Sequence, residues 1–140
     1  MDNFKIPNSA LSNIEIEEYA KKFKIPHFIG HRMRDELIGK PKQNECGIVN
    51  TDVSSGDGFH YVCYFKHGAN KIYFDSFGLP PLIEVQNYLE KKILYSTFRI
   101  QKMNESNCGK HCLYMLHRLS NNDDYIDIVF DLLNERGEGV

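Results

Sequence analysis

Apolar and polar positions along this chain recur with two different periods, and the switch between them marks out the elements. From Ser12 to Ile25 the apolar residues Ile16, Tyr19, Ala20 and Phe23 fall at helical spacing. Ser12 and Glu15 precede that stripe as an S-x-x-E capping box, with the hydroxyl on a first-turn N–H and the carboxylate reaching back to the cap. Pro26 stops the helix. "FIGHRMRDELIGKPKQNE", Phe28 to Glu45, is rich in charge and in Gly and Pro, and it reads as a long surface loop.

Strand-like runs follow. "CGIVNT" (Cys46 to Thr51) is short and apolar, and the turn-rich "DVSSGDG" leads into "FHYVCYF" (Phe59 to Phe65). Alternation there puts Phe59, Tyr61, Cys63 and Phe65 on one face and His60, Val62 and Tyr64 on the other. "KHGAN" turns the chain back into "KIYFDSF" (Lys71 to Phe77), which predicts an antiparallel hairpin. Pro80 and Pro81 open a predicted helix to about Leu94, with Leu82, Val85, Tyr88, Leu89 and Ile93 on one face. "STFRIQ" (Ser96 to Gln101) reads as a further strand. A helix from Cys108 carries Cys112, Leu113, Met115, Leu116 and Leu119 as its buried face. A break at "SNNDD" precedes a last helix from about Tyr125, which carries Ile126, Val129, Phe130 and Leu133. Without repeats or linkers, this order predicts one α+β domain over residues 1–140.

Composition narrows the function classes. The chain has 140 residues and a formal net charge of -2 from 17 basic and 19 acidic residues, which is no footprint of a dedicated nucleic-acid binder. A chain of this size buries roughly two-thirds of its unfolded surface and needs no staples. No run approaches the ~20 apolar residues of a membrane span, and the polar start "MDNFKIPNSALSN" is no signal peptide. We therefore expect a soluble, monomeric, intracellular protein whose four cysteines (Cys46, Cys63, Cys108 and Cys112) are reduced, with no membrane partner.

The candidate chemistry starts at Cys108. A helix N-terminus favours negative charge, so a cysteine there is placed to act as a nucleophile. Ser106 or Asn107 would cap that helix, and Gly109 would let a substrate backbone come close. The ordinary alternative is a core thiol. His60 opens its strand just after a Gly-rich turn, and Asp75 ends the paired strand, where a carboxylate can orient an imidazole through its Nδ1–H. Gln101 lies seven residues before Cys108, and its amide could donate to a developing oxyanion beside the Cys108 N–H. Singly, these residues would pass as a strand histidine, an Asp turn and a surface glutamine. A zinc site from His60, Cys63, Cys108 and His111 is the rival, but His60 and Cys63 point to opposite faces of a strand, so no metal and no cofactor is expected.

Those residues lie in the order His, Asp, Gln, Cys, and with their surroundings the chain resembles the adenovirus-type cysteine proteases (adenain family), including relatives encoded by large DNA transposons. "FIGHRMRDEL", "ECGIVNTD", "GFHYVCYF", "KIYFDSFG" and "IQKMNESNCGKHCLYMLHRL" are similar in sequence and order to that family's segments, from about Leu11 to Leu133. The resemblance implies a central mixed sheet packed against helices, in the fold shared with the ubiquitin-like-protein proteases. It also implies a catalytic His60, Asp75 and Cys108, with Gln101 at the oxyanion. Tyr61 stands where the family commonly has Trp in the substrate groove. Implied further are cleavage of capsid or polyprotein precursors at Gly-containing sites, and a location in the host nucleus or cytoplasm or within the virion. The family's activating viral peptide and DNA are implied partners, but there is no cysteine between Cys63 and Cys108 to hold such a peptide. Two other readings keep the fold: a protease that removes ubiquitin-like modifiers, and a non-catalytic binding relative.

Overall fold

The computed structural model describes residues 5–102 and 105–136. Helix α1 (Asn13–Lys22) begins at the predicted capping box, in which Glu15 N–H donates to Ser12 Oγ and Ser12 N–H to the Glu15 carboxylate. Strand β1 (Phe28–Met33), a short 3-10 turn (Arg34–Glu36) and strand β2 (Asn44–Asn50) follow. Then come β3 (Tyr61–His67), β4 (Asn70–Phe74), α2 (Ile83–Leu89), β5 (Ile93–Leu94), α3 (Cys108–Ser120) and α4 (Tyr125–Arg136).

The strands form one sheet in the order β1-β2-β3-β4-β5. The three central strands are antiparallel, as the turn-linked runs required, while β1 runs parallel to β2 and β5 parallel to β4. A mixed five-stranded sheet with helices packed on it makes the fold α+β. One face carries Ile48, Cys63 and Phe74 against α1, α3 and α4, whose Ile16, Ala20, Leu113, Met115, Leu116, Ile128 and Leu132 are buried there. Complete burial of side chains of this size contributes about 1.5–3 kcal/mol each, so α3 is a principal source of stability as well as the mount for Cys108. The other face buries Val49, Val62, Tyr64 and Tyr73 beneath Val85 and Leu89 of α2.

Four predicted elements differ from those observed. The supposed surface loop contains β1, an edge strand whose ladder lies only against β2; five of its six residues stay partly exposed, so no alternating pattern marks it. The helix read to Leu94 ends at Leu89, where Glu90 adopts φ 69° and the chain turns into β5. Residues 96–101 form no strand: the N–H groups of Ile100 and Gln101 both donate to Ser76 O, at 2.8 and 2.9 Å. In α4 the inward face is Tyr125, Ile128, Val129 and Leu132, while Ile126 and Phe130 are exposed. The stripe is rotated because Tyr125 belongs to it, its hydroxyl donating to Tyr73 O at 3.1 Å.

Candidate active site

Cys108 is the first residue of α3, and it is nearly buried at 8% exposure. Asn107 holds the N-cap position without capping: its Nδ2 donates instead to Asn8 Oδ1 at 3.3 Å, which draws the N-terminal segment across the helix start. The first-turn N–H groups of the helix therefore donate no hydrogen bond to the Asn107 side chain. The Tyr61 backbone N–H points at Cys108 Sγ from 3.4 Å. Gly109, expected to let a substrate backbone come close, packs against α1. A Cβ there would meet Ile16 Cδ1 at 2.9 Å and Leu11 Cδ1 at 3.3 Å, so its small size lets α1 and the segment before it close on α3.

His60 sits one residue ahead of β3 rather than in it, yet its backbone is fixed. Its carbonyl accepts from Thr51 N–H at 2.8 Å, extending the β2–β3 pairing by one step. The loop that delivers it is clamped by Asn50, whose Oδ1 accepts from Asp52 N–H at 2.8 Å and from Phe59 N–H at 3.0 Å. Gly58, at φ 96°, makes the turn a side chain would strain. Asp75 follows β4 directly and is buried beside His60, its Oδ1 2.7 Å from His60 Nε2. The same oxygen accepts from Phe77 N–H at 2.8 Å. The expectation that Nδ1 would face the carboxylate is thus reversed. Nε2 is taken by Asp75, and Cys108 lines the same cleft as His60.

Burial alone would lower the His60 pKa. The hydrogen bonds to Asp75 and Cys108, with the charges of both, outweigh it and raise the imidazole to about 9. At neutral pH the ring therefore carries a proton between two groups able to take it. Two buried thiols outside the cleft are shifted: burial, then the Glu45 charge, pushes Cys46 up to about 12, and burial, then Cys63, pushes Cys112 up.

Gln101 is 1% exposed and held at both ends of its amide. Its Oε1 accepts from Ser76 Oγ at 2.6 Å, and its Nε2 donates to Glu105 O at 2.6 Å, leaving one N–H without a partner among the described residues. Ser76 lies in the turn after β4, whose Gly78 packs so tightly on the 97–98 backbone that a Cβ there would meet Thr97 O at 2.6 Å. That turn therefore fixes Asp75 and Gln101 together. Sequence reading missed Ser76, because the bond joins residues 25 apart and no local pattern announces it.

His60, Tyr61, Gln101 and Cys108 line one cleft of about 340 Å³, whose walls include Phe59, Phe77 and Leu11. Tyr61 keeps its place in the wall through a 2.9 Å hydrogen bond from its hydroxyl to Leu11 O. A larger groove of about 740 Å³ lies between the β3–β4 turn, β5 and the α3–α4 junction, and none of these four residues lines it. Among the described residues no group of three or more His, Cys, Asp or Glu side chains is arranged to hold a metal ion. Nor, among them, is any helix long and apolar enough to cross a membrane.

The fold and cleft define an α+β architecture with a thiol, an imidazole, a carboxylate and an amide brought to one place. Solved structures share that fold. The pS273R protease of ASFV superposes with a TM-score of 0.58 and 17% identity, over 93% of this chain and 67% of that one. Its selenomethionine form gives 0.58 and 18% over the same shares. No protein-family model and no curated protein matches the sequence.

Proposed function

We propose that the chain is a cysteine endopeptidase whose catalytic residues are Cys108, His60 and Asp75, with Gln101 at the oxyanion. One observation carries this reading: His60 Nε2 is hydrogen-bonded to the buried Asp75 carboxylate at 2.7 Å, in the cleft that His60, Gln101 and Cys108 line together. The fold shared with a viral protease supports it.

The chemistry follows from that placement. Cys108, paired as a thiolate with the protonated His60, attacks the scissile carbonyl carbon through its sulfur, so that a C–S bond forms and the carbonyl electrons move to oxygen. The remaining N–H of Gln101 and the Cys108 backbone N–H hold that oxyanion, each such donor being worth ~10²- to 10³-fold in rate. His60 then protonates the leaving amine as the C–N bond breaks, and Asp75 keeps the imidazolium oriented. Water, deprotonated by His60, attacks the thioester; the C–S bond breaks, the acid is released, and the thiolate returns beside a protonated His60. The resemblance to the adenain family implies small residues at the scissile bond, and Phe59, Tyr61 and Phe77 are walls of the cleft that would receive them. Precursor polypeptides with Gly-containing sites are the substrate class proposed.

Incubation with fluorogenic peptides spanning Gly-Gly and Gly-X junctions tests the reading. Cleavage is expected from the wild-type chain and is lost in Cys108→Ala. Cleavage that persists in Cys108→Ala overturns the mechanism. Cleavage only of a folded ubiquitin-like modifier's C-terminal fusion, and of none of the peptides, replaces the substrate class.

A further inference from the structure

The His60 imidazole has two faces as well as two nitrogens. The hydrogen bond to Asp75 fixes Nε2, but one in-plane bond leaves the ring free to rock about it. Phe77 removes that freedom. Its ring is stacked on the imidazole with centroids 4.2 Å apart and planes inclined by 15°. Its backbone N–H binds the very Asp75 oxygen that holds His60 Nε2, so one residue touches both members of the pair.

Arg99 backs Phe77. Its guanidinium carbon lies over the Phe77 ring, 5.2 Å from the centroid of the ring on which the imidazole stacks. The Arg99 Nε–H donates to Gln101 O at 3.1 Å, which links this stack to the residue assigned to the oxyanion. An aromatic face attracts a cation, and a partly desolvated one does so more strongly. The half-buried Phe77 ring is thus suited to an imidazole that carries a proton for part of each turnover.

We propose that Phe77, backed by Arg99, is a positioning residue: it holds the His60 ring in the plane that joins Asp75 to Cys108 and keeps Gln101 in register with both. Phe77 contributes no atom to the reacting groups and acts through His60. This rests on the protease reading above, so the experiment is arranged to separate the two.

The full chain is prepared as wild type, Phe77→Leu, Phe77→Tyr and Arg99→Met. Histidine ring resonances are followed against pH by NMR, the His60 signal being assigned by its absence in His60→Gln, and peptide kinetics and iodoacetamide labelling of Cys108 are measured alongside. In Phe77→Leu the His60 midpoint is expected to fall from about 9 toward 6.5 while the other histidines keep theirs. In that variant kcat drops roughly tenfold, the size of a partly desolvated cation–π contact, with KM changed by less than about twofold. Phe77→Tyr, which keeps the aromatic face, retains the wild-type midpoint. A His60 midpoint in Phe77→Leu that coincides with wild type overturns the proposal. If Phe77→Leu does not fold, the exposed Arg99 decides: a lower kcat at constant KM in Arg99→Met supports the stack, and wild-type kinetics overturns it. A wild-type chain that neither cleaves peptides nor reacts at Cys108 sinks the protease reading alone, because the His60 titration still reports whether Phe77 holds the ring.

Discussion

Ser76 Oγ donates to Gln101 Oε1 at 2.6 Å, and that single bond decides which end of the carboxamide faces the cleft. With the oxygen held by a fully buried hydroxyl, the NH2 group is the end that can meet an oxyanion. Ser76→Ala leaves the buried oxygen without a partner, which costs about 1–3 kcal/mol of stability. It also frees the amide to turn over. Peptide kinetics at a temperature where the variant is folded should show kcat reduced about tenfold or more with KM little changed. Wild-type kcat would remove Gln101 from the oxyanion.

The His60–Asp75 pair predicts a pH-dependent stability. The folded imidazole titrates near 9, above its ordinary 6.5, because bonds to Asp75 and Cys108 outweigh burial. A raised histidine stabilises the fold fully below the unfolded value, and that contribution is lost as pH rises through the folded one. Urea midpoints of the wild type should therefore fall between about pH 6.5 and about pH 9, with a smaller fall in Asp75→Asn. Equal slopes in the two proteins would contradict the pair's coupling.

Gly109→Ala tests helix packing beneath the nucleophile. The added Cβ would lie 2.9 Å from Ile16 Cδ1, so α1 and α3 must separate, at a cost of about 1–3 kcal/mol. Ile16→Val deletes that very atom. The double variant should recover part of the loss in thermal unfolding, and strict additivity of the two single effects would refute the contact.

The thiols predict an order of alkylation. Cys46, pushed up to about 12 by burial, and Cys112, also pushed up and fully buried, should resist iodoacetamide in the native state. Cys108 lines the cleft and should be modified first, as read by peptide mass mapping after limiting reagent. Labelling of Cys112 ahead of Cys108 would count against the site.

Much of the architecture was legible in the sequence wherever one residue type had one cause. The Ser12–Glu15 box, the stripe of α3 and the turn-linked central strands follow from local periodicity and capping, and they recur as observed. Local signals failed at the margins. Strand β1 was hidden because an edge strand is only half covered, and α4 was misphased because the amphipathic Tyr125 was not counted with its buried face.

For the candidate site, the sequence by itself determined the cast: a cysteine at a helix start, a histidine after a glycine turn, an acid after a strand and a glutamine ahead of the cysteine. Only the tertiary structure decided how they meet. Which imidazole nitrogen faces Asp75, which end of Gln101 is held by Ser76, and why Gly109 must be small all depend on residues far apart in the chain. So does the stack of Phe77 on His60. The physical reason is that orientation is set by contacts across the sheet and between helices, whose partners no local period encodes.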